Sequence, residues 1–444
     1  MANFFKPEKS KTDRYFDLEI TDLDGRCCGV GHVGDRTWFV PGTVPGDRVR
    51  VERKELSKGV GTATVQKMLS PSKRRVAKGL CPYVGVCGGC SCQTVTPEMQ
   101  IEAKCRGLQQ VFRKNVGVEL PTPDRIVTGN AWNYRRVCRL STYFNRKTGK
   151  LEVGFKQASS NKIAQIESCM VLETEISALL PAVREVLNHL EARSFIGHIE
   201  LLKADNGLFM LLRHNRELGS ADAKILEVWA RANNVSVFLQ SNGAENACPL
   251  VADSLVPCFS VFGVRYEFTP DAFIQINGAV NEEMIRTAVE YAAPDGSASV
   301  LDLFSGIGNF TLQLALKAGS VTGVEVVDSM VKRASDNAKL NGISNADFVR
   351  CDLSGDFSRE EFARARFDTV LLDPGRDGAA EASAFLGRKR PARIVYVSCN
   401  PITATRDFKI LHDAGYSISR WSCFDAFCHT SHVETVVLMS RDKA

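Results

Sequence analysis

The carboxyl-terminal half of the chain repeats one pattern: a short apolar run, a polar turn, and then a helical stretch. The clearest copy is SVLDLFSGIGNFTLQLA at 299–315, whose turn contains Gly306 and Gly308. A second apolar run, VTGVEVV, follows at 321–327. Apolar runs that alternate with helical stretches predict a parallel sheet flanked by helices. The sequence therefore predicts a doubly wound α/β domain over 271–444.

The turns after these runs carry residue types that suit a nucleoside ligand. Ligands of doubly wound sheets bind beyond the carboxyl ends of the strands. The pattern Asp-x-x-x-Gly-x-Gly brings backbone N–H groups close to a ligand. Glu325 ends the strand predicted within the second run, where a carboxylate suits the two hydroxyls of a ribose, and Asp352 is placed to meet an adenine edge. Without a GxGxxG motif, the set favours S-adenosylmethionine over NAD; a purely structural turn is the alternative.

Two further apolar runs end in residues that are typical of catalysis. FDTVLLDPGRDG ends its apolar run at Asp373, and RIVYVSCNP ends its run at Cys399, so both residues face the predicted crevice. A thiol in such a place is a candidate nucleophile, although a lone cysteine at a strand end is more often a buried apolar residue. Gln275 in DAFIQIN offers an amide for a pyrimidine edge, and Glu434 is a candidate base. Taken alone, these last two are more typical of ordinary surface residues.

The basic residues are concentrated in the amino-terminal part of the chain. The whole sequence has 56 Lys and Arg against 51 Asp and Glu, a net charge of +5, whereas residues 1–165 hold 29 against 15. Such asymmetry indicates a polyanionic partner, with a merely solvated basic surface as the alternative. Short alternating strands over 12–68, separated by GVGHVGD and PGTVPGD, predict a small closed barrel of the oligonucleotide-binding type.

The middle of the chain, 69–270, is predicted to form a further domain. Residues 97–115 have a helical pattern, and 132–270 alternate strands with one clear helix, TEISALLPAVREVLNHLEAR. The start of the chain has no apolar signal region, and no run of 18 apolar residues exists, which predicts a cytoplasmic protein without a membrane span. In that reducing compartment, the 15 cysteines are not expected to form disulfides.

Four cysteines lie within twelve residues and predict a metal or cluster site. Cys81, Cys87 and Cys90 have the spacing Cys-x5-Cys-x2-Cys, with a Gly-Gly turn between the last two. Three thiolates need a fourth ligand, for which Cys92 is close in sequence and Cys169 is the better candidate if the chain folds back. Thiolate sets of this kind hold Zn²⁺ or an iron–sulfur cluster, and the spacing alone does not choose between them.

The motifs together resemble one family. CPYVGVCGGCSCQ, DAFIQIN, LDLFSGIGNF, VLLDPGRDG, VYVSCNP and HVE occur in this order in the bacterial ribosomal RNA uracil-C5 methyltransferases. The resemblance runs from about residue 12 to the carboxyl terminus, and 12–68 resembles the TRAM module of that family. Two positions depart from the pattern: Gly375, where relatives have Pro, Ala or Ser, and Ser305, where they often have Cys. Neither change removes the adjacent carboxylate or a backbone contact.

The resemblance implies an architecture and a set of site residues. The architecture is a TRAM barrel (12–68), a central α+β iron–sulfur domain (69–270) and a Rossmann-like methyltransferase domain (271–444). The implied ligands of a [4Fe-4S] cluster are Cys81, Cys87, Cys90 and Cys169. The implied S-adenosylmethionine contacts are Gln275, Phe304, Asn309, Glu325, Asp352 and Asp373. Cys399 matches the nucleophile of the family, and Glu434 matches its proton-abstracting base.

The function implied by the resemblance is transfer of a methyl group to C5 of one uracil in 23S ribosomal RNA, by a monomeric enzyme. Two alternatives within the class are a methyltransferase for transfer RNA, whose members generally lack the barrel and the cysteine cluster, and one for another ribosomal uracil, whose members usually lack the barrel. Relatives that have a barrel and modify two sites are a further alternative. An alternative from another class is a non-catalytic RNA-binding protein with a structural metal site. The Ser398-Cys399-Asn400 strand end and the intact cofactor pattern argue against it.

Overall fold

A computed structural model describes residues 14–76, 80–243 and 247–441. These residues form two compact units. One takes in the described chain up to Leu80 together with Ser91–Gly107, and the other takes in Cys81–Cys90 and the chain from Leu108 onward. The first two residues of the predicted barrel, 12 and 13, and most of the start that was scanned for a signal region lie outside the described residues. Within the described chain, no helix has the length and apolar character that a membrane crossing requires.

The amino-terminal unit contains the predicted barrel, which is closed and has the strand order β1-β2-β3-β5-β4. Its strands are β1 (Tyr15–Leu23), β2 (Gly29–Val33), β3 (Arg36–Val40), β4 (Arg48–Ser57) and β5 (Val60–Ser70). Alternating apolar residues such as Leu18, Trp38 and Val49 fill its interior, while the intervening charged residues face outward. The prediction was wrong for GVGHVGD, whose first five residues form β2 rather than a turn. Gly31 is needed there, because a Cβ would lie 2.4 Å from the Glu19 carbonyl oxygen.

Helix α1 (Pro97–Asn115) confirms the helix predicted over 97–115. The central sheet that follows has the order β13-β12-β11-β10-β7-β8-β9. Its strands are β7 (Val137–Asn145), β8 (Lys150–Lys156), β9 (Ile163–Ala164), β10 (Ile196–Ala204), β11 (Gly207–His214), β12 (Val235–Ser241) and β13 (Cys248–Pro249). A hairpin of β14 (Cys258–Val261) and β15 (Val264–Glu267) stands apart from this sheet.

Two helices belong to the central sheet, where the sequence predicted one. The predicted helix is α2 (Thr174–His189), and a 3₁₀ turn at Glu191–Phe195 replaces its expected last residues. Helix α3 (Ser220–Asn233) was missed. Only Asp222, Leu226 and Ala230 of α3 are buried, four residues apart, so its apolar face is too narrow to stand out from sequence.

The catalytic sheet has eight strands in the order β18-β17-β16-β19-β20-β22-β21-β6. They are β6 (Arg125–Thr128), β16 (Ser299–Leu303), β17 (Ser320–Glu325), β18 (Ala346–Arg350), β19 (Thr369–Leu372), β20 (Arg393–Ser398), β21 (Tyr416–Asp425) and β22 (Glu434–Arg441). The helices are α4 (Gly278–Ala292), α5 (Thr311–Ala315), α6 (Asp328–Leu340), α7 (Glu361–Arg364), α8 (Ala380–Lys389) and α9 (Pro401–Asp413). Strands β16 to β20 are parallel and β22 runs against β20. This confirms the predicted doubly wound sheet, although its edge strand β6 comes from outside the 271–444 segment to which the sequence assigned it.

Candidate active site

The predicted cofactor turn joins β16 to α5 at the carboxyl edge of the sheet. Phe304, Gly306 and Gly308 all have positive φ angles, of 67°, 55° and 90°. Glycine adopts such angles without steric cost, but phenylalanine does not, so Phe304 is held in a strained conformation. The Ser305 N–H donates to the Val324 carbonyl oxygen at 3.0 Å, which ties the turn to the neighbouring strand β17.

Glu325, the last residue of β17, is held by the backbone of two segments. Its Oε2 accepts the Gly306 N–H at 3.0 Å. Its Oε1 accepts the N–H groups of Val326 and Val327 at 2.9 and 3.0 Å. The carboxylate therefore sits at a fixed place beside the glycine turn, as a ribose-binding carboxylate must.

A cavity of 270 Å³ opens beside this turn. Three of the predicted cofactor residues, Phe304, Glu325 and Asp352, line it. Asp352 is exposed, and its Oδ1 accepts the Ser354 N–H at 2.9 Å, which lowers the pKa of the carboxyl. Sequence reasoning missed the other lining residues, which are Val326, Cys351, Leu353, Ser354, Asp377, Gly378, Ala379, Ala380, Glu381 and Arg406.

Three predicted cofactor residues, Gln275, Asn309 and Asp373, lie outside the lining of this cavity. The Asn309 side chain forms a reciprocal amide pair with Asn281 on α4, with both hydrogen bonds at 3.1 Å. Gln275 lies in the loop that precedes α4, and its carbonyl oxygen accepts the Arg136 Nε–H at 2.8 Å. The structure thus fixes the backbone of Gln275 from the central sheet.

Cys399 and Glu434 lie side by side at the ends of two neighbouring strands. Ser398, the last residue of β20, pairs with Thr435 of β22, so the next residue on one strand faces the preceding residue on the other. The Thr435 hydroxyl donates to the Ser398 carbonyl oxygen at 3.4 Å. Asp373 ends the adjacent strand β19, and its N–H donates to the Leu303 carbonyl oxygen at 3.3 Å. The structure therefore brings the predicted nucleophile, the predicted base and Asp373 to one edge.

Burial is the main cause of the raised pKa values of Cys399, Glu434 and Asp373. Burial raises the pKa of Cys399 to about 11, and the carboxylates of Glu434 and Asp373 add to the rise. Burial also raises the pKa of Glu434 well above its ordinary value, again with a contribution from Asp373. Desolvation raises the pKa of Asp373 to about 7. Arg376 opposes these effects, because its positive charge lowers the pKa values of both Cys399 and Glu434.

Asp302 is a further carboxyl of this edge that sequence reasoning did not single out. It is fully buried in β16 and accepts the Thr311 hydroxyl at 2.5 Å. Burial raises its pKa to about 7, with contributions from Asp373 and Glu325. The signal was present, since Asp302 is the first residue of the Asp-x-x-x-Gly-x-Gly pattern, but its burial depends on the packed sheet.

The predicted cluster cysteines Cys81, Cys87, Cys90 and Cys169 all belong to the second unit and are half-buried. Burial raises the pKa of Cys169, and the thiols of Cys87 and Cys81 add to the rise, which places the three near one another. The Gly89 N–H donates to Cys87 Sγ at 3.4 Å, at the predicted Gly-Gly turn. Over 14–76, 80–243 and 247–441, however, no three Cys, His, Asp or Glu residues converge as closely as a single metal ion requires.

Cys92, the alternative fourth ligand, belongs to the amino-terminal unit. It is buried in a small apolar cluster with Cys27, Val44 and Val95. Such a packed, fully buried thiol is typical of a structural cysteine. This environment favours Cys169 over Cys92 as the companion of Cys81, Cys87 and Cys90.

Comparison with known proteins gives the family. The model of the family described as tRNA (Uracil-5-)-methyltransferase matches residues 97–442. The chain belongs to this uracil-5 methyltransferase family. It is 38% identical over 442 residues to the 23S rRNA (uracil(1939)-C(5))-methyltransferase RlmD of Aeromonas salmonicida, which covers 99% of this chain and all of the relative. The same enzyme of Tolumonas auensis is 39% identical over 444 residues, with the same coverage.

A solved structure agrees with the fold. The tRNA (uracil-54, C5)-methyltransferase of Pyrococcus abyssi, in complex with S-adenosyl-L-homocysteine, matches with a TM-score of 0.70 and covers 96% of this chain and all of that one. Its sequence identity is 22%. At that identity the likeness establishes the fold, and the choice of RNA has to be argued from other features.

Proposed function

We propose that this uracil-5 methyltransferase transfers a methyl group from S-adenosylmethionine to C5 of a uracil in 23S ribosomal RNA, at the site named for its RlmD relatives. The observation that carries the proposal is the placement of Cys399 beside Glu434, next to Asp373 and on the same sheet edge as the glycine turn. The full-length identity of 38% to RlmD supports the ribosomal substrate.

The proposed reaction begins with Cys399. C5 of uracil is a weak nucleophile, and addition of the thiolate to C6 moves the electron pair of the C5–C6 double bond toward C5 and the O4 carbonyl. The Cys399 thiol, with a pKa of about 11, must first lose its proton. Asp373 has a pKa of about 7 and interacts with this thiol, so its carboxylate is the acceptor we propose for that proton. Arg376 stabilises the resulting negative charge.

S-Adenosylmethionine, when bound, supplies the methyl group that C5 takes up. The C5 proton must then leave, and we propose that the Glu434 carboxylate takes it while the C6–sulfur bond breaks and regenerates the thiolate. Burial makes an ionised Glu434 a stronger base than an exposed glutamate, and Arg376 favours the ionised form that the step needs. The base must leave its stack to reach this edge, so flipping of the uracil is part of the proposal.

The cofactor residues divide into two groups in this proposal. Phe304, Glu325 and Asp352 hold the nucleoside part in the 270 Å³ cavity. Gln275, Asn309 and Asp373 then act toward the methionine part and the uracil, as the family resemblance implies. The burial of Asp373 together with its raised pKa supports a role at the reacting atoms rather than at an exposed ribose.

We also propose that Cys81, Cys87, Cys90 and Cys169 bind a [4Fe-4S] cluster. Cysteine thiolates are the usual ligands of such clusters. The electrostatic interaction of Cys169 with Cys87 and Cys81 supports this ligand set. The proposed reaction moves no single electrons, so the cluster has a structural role in this proposal.

The proposed division of labour has three parts: an RNA-binding barrel at 12–68, a cluster domain at 69–270 and a catalytic domain at 271–444. The barrel supports an RNA role through β4, where the exposed Arg48 and Arg50 alternate with the buried Val49 and Val51. Cations on the outer face of a closed barrel suit a phosphate backbone, and binding should then weaken steeply with salt.

Mass spectrometry of ribosomal RNA from a strain that lacks this protein tests the proposal. One 5-methyluridine of 23S ribosomal RNA should be lost and should return when the purified enzyme and S-adenosylmethionine are added. Methylation of transfer RNA with intact 23S methylation would favour the alternative substrate. A purified protein that binds RNA but no S-adenosylhomocysteine would support the non-catalytic alternative.

A further inference from the structure

Helix α9 and its N-cap residue form hydrogen bonds with the loop that connects Asp373 to α8. The helix begins two residues after Cys399, and Asn400 caps it by accepting the Ile402 N–H at 3.2 Å. From this end of the helix, Asn400 Nδ2 and Thr403 Oγ1 both donate to the Arg376 carbonyl oxygen, each at 2.9 Å. The first half of the loop is therefore fixed by its backbone.

Asp407 fixes the second half of the same loop from one turn farther along α9. Its side chain is fully buried, and its Oδ2 accepts the Ala379 N–H and the Tyr396 hydroxyl, both at 2.6 Å. Arg406 Nε donates to Asp407 Oδ1 at 2.8 Å, and Arg406 Nη2 donates to the Asp377 carbonyl oxygen at 2.9 Å. Charge-assisted hydrogen bonds of this kind are stronger than neutral ones.

The contacts come from one face of the helix. Asn400, Thr403 and Asp407 are spaced by three and four residues, which places them in line along an α-helix. Gly378 shows how closely the loop packs on this face. Its φ is 74°, and a Cβ there would lie 2.5 Å from Asp407 Oδ2. A side chain at position 378 would push the loop away from Asp407.

The loop between Asp373 and α8 forms one wall of the 270 Å³ cavity. The segment 377–381 lines the 270 Å³ cavity together with Arg406, the glycine-turn residue Phe304 and Glu325. The segment 399–407 thus carries the proposed nucleophile at one end. At its other end, Arg406 and Asp407 form hydrogen bonds with the backbone of the cavity wall. Gly375, in the middle of the loop, has no atom within 4 Å of its Cβ position, so packing at that residue does not fix the loop.

We propose that Asp407 is a positioning residue that acts through this loop and sets the affinity for the methyl donor. The inference rests on the proposed cofactor site. It assigns to Asp407 and Thr403 a role in function, although neither residue lines the cavity. Their hydrogen bonds hold backbone atoms, so the loop keeps its shape whatever its exposed side chains do.

Calorimetric titration of the full-length protein with S-adenosylhomocysteine tests this role. Asp407→Asn keeps the size of the side chain but removes its charge, and should weaken binding about tenfold, the loss expected for one charge-assisted hydrogen bond. Thr403→Val should weaken binding by a smaller factor. In turnover assays, the KM for S-adenosylmethionine should rise in both variants, while the KM for RNA stays unchanged.

Two matched variants separate positioning from stability. Tyr396→Phe removes the other hydrogen bond to Asp407 Oδ2 without touching the loop, so it should lower Tm and leave the affinity unchanged. Lys409→Gln alters an exposed residue of α9 that pairs with Asp413, and should change neither. Unchanged affinity in Thr403→Val and Asp407→Asn overturns the inference, and if Asp407→Asn does not fold, Thr403→Val decides. Failure of the unaltered protein to bind would instead contradict the proposed function.

Discussion

The predicted cluster cysteines and the predicted nucleophile Cys399 differ in the groups that surround their thiols. The thiols of Cys87 and Cys169 interact with other cysteine thiols and with backbone N–H groups. Cys399 interacts with two carboxylates and with Arg376. In the first group, thiol beside thiol is unfavourable for ionisation until a cation is shared. In the second, burial of the thiol raises its pKa, and two carboxylates add to the rise. The neighbours, rather than the cysteine, decide between ligand and nucleophile.

The largest effect that we expect follows from substitution of Cys399. We expect Cys399→Ala to lower turnover by about 10⁴-fold or more, because removal of a covalent nucleophile leaves only binding effects. The variant should form no covalent complex with RNA that carries 5-fluorouridine at the target, whereas the unaltered enzyme should form one, visible on a denaturing gel. Binding of S-adenosylhomocysteine should persist, since Cys399 does not line the 270 Å³ cavity. Normal turnover by this variant would refute the covalent mechanism.

Glu434 acts only after methyl transfer in the proposed mechanism. Glu434→Gln should lower turnover by about 10²–10⁴-fold, the usual contribution of a general base. It should also accumulate a methylated protein–RNA adduct on unmodified RNA, because the amide cannot take the C5 proton. If turnover is lost without any adduct, Glu434 acts before the methyl transfer, and the assignment of Cys399 is unaffected.

For the other cysteine group, separate substitution of the two candidate fourth ligands distinguishes Cys169 from Cys92. Anaerobically purified protein should contain about four irons per chain. Cys169→Ser should lose the iron, and Cys92→Ser, which alters a buried thiol of the amino-terminal unit, should retain it. The measurement is iron content together with the visible absorption spectrum. Stoichiometric zinc in the anaerobic protein would contradict the iron–sulfur assignment.

The sequence predicted the parts of this molecule that depend on local pattern. Apolar runs predicted the strands that end beside Glu325, Asp373 and Cys399, and the glycine pattern predicted the turn between β16 and α5. Strand β2 was missed because glycines that serve close strand packing resemble the glycines of a turn. Helix α3 was missed because its buried face is narrow.

What could not be predicted depends on residues far apart in the chain. The raised pKa of Asp302 arises from a sheet that closes over it. The contact of Asp407 with Ala379 joins positions 28 residues apart. Neither residue is unusual in its own segment, so only the folded chain distinguishes them from ordinary acidic residues. The family resemblance implied the roles of the site residues, but it did not imply the burial of Asp302 or the contact between Asp407 and Ala379.

The smallest effect we expect concerns the proton of Cys399. Its pKa of about 11 lies above neutrality, so the thiolate fraction of the free enzyme should rise about tenfold per pH unit between pH 7 and pH 9. Alkylation of Cys399 by iodoacetamide, followed by mass spectrometry of its peptide, should accelerate in the same proportion. Arg376→Met removes the cation that lowers this pKa, so alkylation at pH 8 should be slower. A rate that is constant from pH 7 to pH 9 would mean that the thiol is already ionised, and that the carboxylates of Asp373 and Glu434 do not hold its proton.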